Sequence, residues 1–283
     1  MNQRYLNVGS WNIEKFGLVD DNTENEYAIA QHIELSGVDI LAFQEMYITN
    51  KSRFTNKHLD AALDLVKEHT GNTWKYEIFP NRSASDTSQL CGVTWNTNRV
   101  TKKLDTLKIP VKTKVEFEGK TLWLWDRIPH AVKFETEQGK TDLIIISIHM
   151  KSNVGKRYIV ERKRYEEAKT LIENIPLVID ELKDKDIVIL GDTNCKSRRE
   201  PAINAFITGG FEDLNADDIP TFVRGEKAPF DRIFVPGDED RKPFKYSRQY
   251  IMRSASPLAH DEYLSDHYLI KTMIKIRKDD DFI

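Results

Sequence analysis

Cysteine is nearly absent from this sequence. Cys91 and Cys195 form neither a metal-ligand spacing nor a disulfide framework. Both are expected to be free thiols in a reducing compartment, the cytoplasm. No apolar run approaches membrane-spanning length, and Met1–Val8 lacks the apolar stretch of a secretory signal, so no membrane attachment is expected. A basic excess is missing too. The formal net charge is −3, so any nucleic-acid contact needs a local basic face rather than bulk attraction. There is no Gly/Ser linker, low-complexity tract or solenoid repeat. A single domain over residues 1–277 is expected, followed by a charged tail, 278–283.

The chain does hold a core. Hydrophobic residues make up 40% and charged residues 31% of the 283, the balance of a globular protein. Strand-like runs recur at Leu6–Ile13, Val38–Gln44, Trp74–Phe79, Cys91–Trp95, Thr121–Trp125, Ala131–Phe134, Leu143–His149, Ile187–Leu190, Arg232–Val235 and Tyr268–Ile276. Helical stretches separate some of them. Thr23–Leu35 has Asn22 or Thr23 as N-cap, Glu26 reaching back, and Gly37 closing it. Phe54–His69 puts Leu59, Ala62, Leu63 and Val66 on one face and ends at Gly71. Arg157–Leu182 contains Pro176, which predicts a kink or break. Leu122–Trp125 is apolar throughout and reads as core strand. Pro236–Pro243 reads as a loop and Lys278–Ile283 as a frayed end. Early strand–helix alternation followed by paired strands predicts an α/β fold of two packed sheets flanked by helices.

Polar groups recur where the apolar runs finish. Ile187-Val188-Ile189-Leu190 leads into Gly191-Asp192-Thr193-Asn194. Asn12 interrupts the first strand, Glu45 ends the second run, His149 ends Leu143–His149, and Ser265-Asp266-His267 precedes the last strand. Taken singly, each has an ordinary structural explanation: a turn, a cap, a solvated acid or a hydrogen-bonded histidine. Independent solvation does not explain why all of them collect at strand ends, where ligands of α/β sheets commonly sit. If they converge, Glu45, Asp192, Asp231 and Asp266 repel one another and require positive charge. Carboxylate and amide oxygens suit Mg²⁺, with Mn²⁺ as substitute, better than zinc. The chemistry such a centre supports is metal-assisted attack of water on phosphorus.

In these motifs the chain resembles the endonuclease/exonuclease/phosphatase superfamily, the deoxyribonuclease I-like fold. Trp11-Asn12-Ile13, Gln44-Glu45, Asp126-Arg127-Ile128-Pro129, Gly191-Asp192-Thr193-Asn194, Phe230-Asp231-Arg232-Ile233 and Ser265-Asp266-His267 follow the family's order across nearly the whole chain. The resemblance implies a four-layered sandwich, two mostly antiparallel sheets face to face between helices, with the site at one edge. It implies that Glu45 holds the metal with Asn12 and Asp266 nearby. Asp192 and Asn194 would orient the attacking water or a second metal and touch the phosphate. His267 would bind or protonate a phosphate oxygen with Asp231 fixing its tautomer, and His149 would be the other acid/base or phosphate contact. Arg127 would neutralise phosphate charge. Some nucleases of this fold pair the His149-like residue with a glutamate; here the matching segment offers Gln89, whose amide can orient an imidazole without stabilising its cation.

Local charge addresses the substrate. Lys151 follows His149, with Lys156, Arg157, Arg162, Lys163 and Arg164 soon after. Arg162–Arg164 reads equally well as a solvated helix face. Lys196, Arg198 and Arg199 follow the Asp192 motif and are candidate DNA-backbone contacts; Lys151 is a candidate phosphate contact. An extended phosphodiester is favoured over a small monoester, which points to a Mg²⁺-dependent endonuclease acting on DNA in preference to RNA. Alternatives are a phosphomonoesterase for nucleotide or inositol phosphates, a lipid-headgroup phosphodiesterase, and a catalytically inactive phosphate-binding module. No obligate protein partner is readable. His32, His58, His69, His130 and His260 lack ligand spacing, and Trp11 and Trp95 read as packing residues.

Overall fold

Along Leu143–Ile148 successive side chains go to opposite sides. Leu143 and Ile145 join one buried cluster; Ile144, Ile146 and Ile148 join another. Both faces are covered, which is why the run is continuously apolar. The computed structural model describes residues 4–18, 26–81, 87–237 and 243–279. Its first half holds β1 (Tyr5–Phe16), α1 (Glu26–Ser36), β2 (Ile40–Met46), α2 (Lys57–Thr70), β3 (Trp74–Ile78), β4 (Leu90–Asn96), β5 (Thr101–Lys102), β6 (Leu107–Lys108), β7 (Lys114–Phe117) and β8 (Lys120–Trp123). Its second half holds β9 (His130–Glu135), β10 (Asp142–His149), α3 (Arg157–Leu182), β11 (Ile187–Asp192), α4 (Pro201–Thr208), β12 (Phe211–Asp213), β13 (Asp231–Pro236), β14 (Tyr250–Met252), α5 (Pro257–Tyr263) and β15 (Leu269–Lys275).

One sheet runs β14-β15-β1-β2-β4-β3 and the other β12-β13-β11-β10-β9-β5 with β6 also on β9. Each is antiparallel except for one pair, β1 with β2 and β10 with β11. Val8, Ala42 and Val93 meet Ile145, Leu190 and Ile233 between the sheets. Ile29, Ile33, Leu59 and Leu63 of α1 and α2 cover Leu41 and Phe43 on one outer face. Ala168, Leu171, Val178 and Phe206 of α3 and α4 cover Ile144, Ile146 and Ile189 on the other. The result is the expected four-layered α/β sandwich.

Local expectations fare unevenly. Asn56 caps α2 by accepting from the His58 and Leu59 amides, so the helix starts later than Phe54; Gly71, at φ 74, ends it. The proposed Asn22 and Thr23 caps lie outside the described residues, as do residues 238–242 of the expected loop. The expected break at Pro176 is absent: α3 runs unbroken from Arg157 to Leu182. Leu171 before the proline and Val178 and Leu182 after it are buried in one cluster, and that packing carries the helix across the missing bond, a defect of about 3 kcal/mol. Leu122–Trp125 is core in part but not a core strand: Leu124 and Trp125 are buried in the cluster under α3. Its strand stops at Trp123, which is half-exposed in a separate two-stranded hairpin. Lys278 and Asp279 are not frayed, since Lys278 bridges Lys140 and the Asp279 amide donates to Gly139.

Candidate active site

Strand parity delivers the polar groups to the seam between the sheets. Leu6 and Val8 face the opposite sheet, and Ser10 and Asn12 continue that face of β1. By the same alternation Ser147 and His149 follow Leu143 and Ile145, Asp192 follows Val188 and Leu190, and Asp231 precedes Ile233 and Val235. Because β1 and β2 are parallel, and β10 and β11 are parallel, the carboxyl ends of all four strands finish at one edge. Gln44 ties the sheets there, donating to Ser10 Oγ at 3.1 Å and Ser147 Oγ at 3.2 Å. Glu45 has the wrong parity for the seam. Its φ of 61, at a register shift between Phe43 and Met46, turns the carboxylate inward. Glu14, Lys15, Gln89, Trp125 and Asn194 also have left-handed φ in segments around the site, a conformation costly for residues with a Cβ. Gly191 is required for another reason. A Cβ there would lie 1.9 Å from the Ile148 carbonyl oxygen of the neighbouring strand.

The side chains meet as follows. Asn12 Nδ2 bridges Asp192 Oδ2 at 3.1 Å and Glu45 Oε1 at 3.3 Å, while its Oδ1 accepts the Glu14 amide. His149 Nε2 stands 3.6 Å from Asp192 Oδ2 and 3.9 Å from Glu45 Oε1. His267 Nδ1 meets Asp231 Oδ2 at 2.8 Å, and its Nε2 stands 3.9 Å from both Asp192 Oδ2 and Asp266 Oδ1. The Asn194 amide donates to Asp192 Oδ1 at 2.7 Å, and its side chain donates to the Met150 carbonyl. Ser265 Oγ donates to the Asn12 carbonyl at 2.6 Å and accepts the His267 amide, pinning the Asp266–His267 segment to β1. Eight of the residues singled out by sequence therefore form one cluster.

Its electrostatics are divided. Burial pushes Asp192 up to about 7, opposed by His267 and reinforced by Asp231. Burial likewise pushes Asp266 up to about 6. Burial disfavours the His267 cation, but the Asp231 charge and hydrogen bond, helped by Asp192 and Asp266, raise it to about 10. His149 goes the other way: burial, then Arg127, His267 and Lys151, holds it well below the usual imidazole range. One imidazole is thus cationic and the other neutral across the same carboxylates.

The basic residues divide by location. Arg127 binds both the side chain and the carbonyl of Gln89. Gln89 therefore does not orient His149, as its place in the sequence suggests; His149 Nδ1 is buried without a hydrogen-bond partner among the described residues. Lys151 donates to Ser152. Lys196 and Arg199 line a neighbouring cavity, and the Arg198 amide donates to Asp218. Arg164 is no solvated helix residue: it is buried and paired with Glu200 at 2.7 Å.

Sequence reasoning passed over several supports. Glu167, buried on α3, accepts the Trp125 amide at 3.0 Å and the Lys151 amide at 2.9 Å, joining the Arg127 segment to the end of β10. Trp11 Nε1 and His260 Nε2 both reach the His267 carbonyl at 3.0 Å. Arg224 spans Glu14, Asp261 and Asp266 at the rim. An acid on a charged helix looks solvated, and a lone arginine in a loop carries no pattern, so neither announces itself.

Among the described residues no three His, Cys, Asp or Glu side chains close into a metal cage. The oxygens instead form an open set around Asn12. Mg²⁺ keeps several waters and takes one or two carboxylates plus substrate phosphate rather than a dedicated cage. Burial is what raises Asp192 and Asp266, and a cation beside them would offset that cost, so the donor set fits such an ion.

No family profile and no curated protein matches the chain. Solved structures do match. An endonuclease/exonuclease/phosphatase from Bacteroides vulgatus superposes with TM-score 0.66 at 15% identity over 97% of this chain and 100% of that one. TDP2 from D. rerio complexed with single strand DNA product gives 0.59 at 14% identity over 96% and 100%. A mannosyl-6-phosphatase from Bacteroides thetaiotaomicron gives 0.60 at 16% identity over 95% and 99%. The chain has the endonuclease/exonuclease/phosphatase fold.

Proposed function

We propose that the protein is a divalent-metal-dependent phosphodiesterase, with Mg²⁺ as the ion, and that it acts as an endonuclease on DNA in preference to RNA. The observation that carries this reading is the single oxygen cluster of Glu45, Asp192 and Asp266, faced by two imidazoles in opposite protonation states. Glu45 and Asp266 would hold the ion, which supplies Lewis-acid polarisation of the phosphate and a more acidic water. Asn12, whose Oδ1 is already taken by the Glu14 amide, spaces the carboxylates from its amide nitrogen.

The chain's own groups do the rest. Asp192, locked by the Asn194 amide, orients the attacking water and accepts its proton as the P–O bond to the leaving oxygen breaks, and the departing alkoxide takes a proton from solvent. The Asp231 carboxylate takes His267 Nδ1–H, which directs Nε2–H at a non-bridging phosphate oxygen. His149, neutral, contacts the opposite side of the phosphate. Arg127 and Lys151 offset phosphate charge at one rim. An extended diester is favoured because Lys196, Arg198 and Arg199 continue outward from the Asp192 strand end, a reading supported by the fold shared with a DNA-complexed structure.

A digestion panel of plasmid, linear and single-stranded DNA, RNA and phosphomonoesters, each with Mg²⁺, Mn²⁺ or chelator, tests this. Metal-dependent DNA cleavage, lost in Asp192→Ala and His267→Ala while circular dichroism is unchanged, is the expected result. Rapid inorganic phosphate from nucleotides or sugar phosphates with DNA left intact would replace the reading with a phosphomonoesterase, the activity named for one structural neighbour.

A further inference from the structure

A cavity of about 610 Å³ opens between the first turn of α3 and the loop after β11, a volume within the range of small-ligand sites. Asn153 in its wall donates through Nδ2 to the Asn194 carbonyl at 3.0 Å and accepts Arg164 at 3.1 Å. The cavity is therefore bonded directly to the reaction centre. Arg164 is a rigid part of that wall, held by Glu200 and by the Lys151 carbonyl.

Three further cations, Arg157, Lys196 and Arg199, line the space. The guanidinium of Arg199 makes no ion pair among the described residues. Arg157 pairs with Glu161 at 2.7 Å and Lys196 with Glu226 at 2.8 Å; the cation of the first pair is 91% exposed against 25% for its glutamate, and the second pair is open on both sides, at 52% and 78%. Exposed pairs of this kind are worth about 0–1 kcal/mol, so an incoming anion exchanges with the glutamates at small cost. The third acid, Glu200, is already occupied by Arg164 and the Lys196 amide. Arg198, between Lys196 and Arg199 in sequence, is not part of the lining.

We propose that this cavity receives a second phosphate of an extended polynucleotide, adjacent to the scissile diester, through Arg157, Lys196 and Arg199. The inference rests on the phosphodiesterase reading and adds to it a length requirement: substrate selection by backbone continuity rather than by base identity.

The test compares an oligonucleotide with bis(4-nitrophenyl) phosphate, which carries a scissile diester and nothing more. In Arg157→Glu the oligonucleotide KM should rise about tenfold relative to that of the small diester, with the slope of log affinity against log salt falling by about one. Equal changes on both substrates, or none on the oligonucleotide, overturn the proposal. If the parent protein cuts neither diester, the catalytic reading fails separately. Fluorescence anisotropy of a labelled oligonucleotide in metal-free buffer then decides the subsite. Salt-dependent binding weakened in Arg157→Glu and in Arg199→Glu supports it. Absent binding, undiminished binding, or equally effective competition by a nucleoside 5′-monophosphate, which carries a single phosphate, rejects it.

Discussion

His267 Nδ1 sits 2.8 Å from Asp231 Oδ2, with the imidazole nearly buried and the carboxylate fully so. The pair raises His267 from 6.5 to about 10. A raised histidine stabilises the folded state fully below its unfolded value, and that contribution is lost as pH climbs through the folded value. Stability should therefore decline between about pH 6.5 and 10 in the metal-free protein. Asp231→Asn should lower the His267 titration, flatten that decline and reduce kcat by roughly 10- to 100-fold. Histidine ¹⁵N shifts against pH, read beside urea unfolding, check both halves; an unmoved titration would refute the pairing.

Gly191 tolerates no side chain. The alanine methyl would meet the Ile148 carbonyl at 1.9 Å, and two adjacent central strands cannot part without opening the sheet. Gly191→Ala should cost more than about 3 kcal/mol, measured by thermal or chemical unfolding. A parent-like Tm would show that the close approach is not maintained.

Glu167 should act on turnover without touching substrate. Its two oxygens accept amides from two separate loops, and glutamine offers only one acceptor oxygen. Glu167→Gln is expected to lower kcat about tenfold, with metal affinity unchanged by calorimetry. Burial raises this acid from 4.5 to about 7 despite both amide bonds. The sign is the same as for His267, although burial rather than pairing is the cause: between those values the folded state holds more protons, so rising pH weakens it. The glutamine variant should lose that slope between pH 4.5 and 7.

Metal should bind in competition with protons. With Asp192 near 7 and Asp266 near 6 in the ion-free site, Mg²⁺ affinity should rise with pH to about 7 and then level off. Added Mg²⁺ should raise Tm logarithmically with concentration, and chelation should abolish turnover while leaving the fold. Glu45→Ala and Asp266→Ala should each suppress the Tm rise. A Tm insensitive to Mg²⁺ in the parent would remove the ion from the site.

The parts of this molecule that sequence discloses are those governed by alternation. Val188, Leu190 and Asp192 share a parity, so an apolar run ending in a carboxylate already tells which face the acid joins. Glu45 defies that rule, because a left-handed φ reverses its direction and no local pattern encodes the reversal. Gln89 escapes the pattern for a different reason. Its amide lies beside His149 in sequence logic, yet Arg127 offers a charged donor and takes it. Pro176 broke no helix because Leu171, Val178 and Leu182 pack on a sheet that only the whole chain creates. Glu167 and Arg224 act through partners tens to hundreds of positions away, where periodicity carries no information.

Asn12, Glu45, Asp266 and His267 hang from one sheet, and His149, Asp192 and Asp231 from the other, with Gln44 and Ser147 as the rivet between them. A chain with only one sheet assembled is therefore chemically silent. Competence arrives at the final docking of two halves, so during refolding turnover should return later than secondary structure, and a stopped-flow comparison of the two would time that closure.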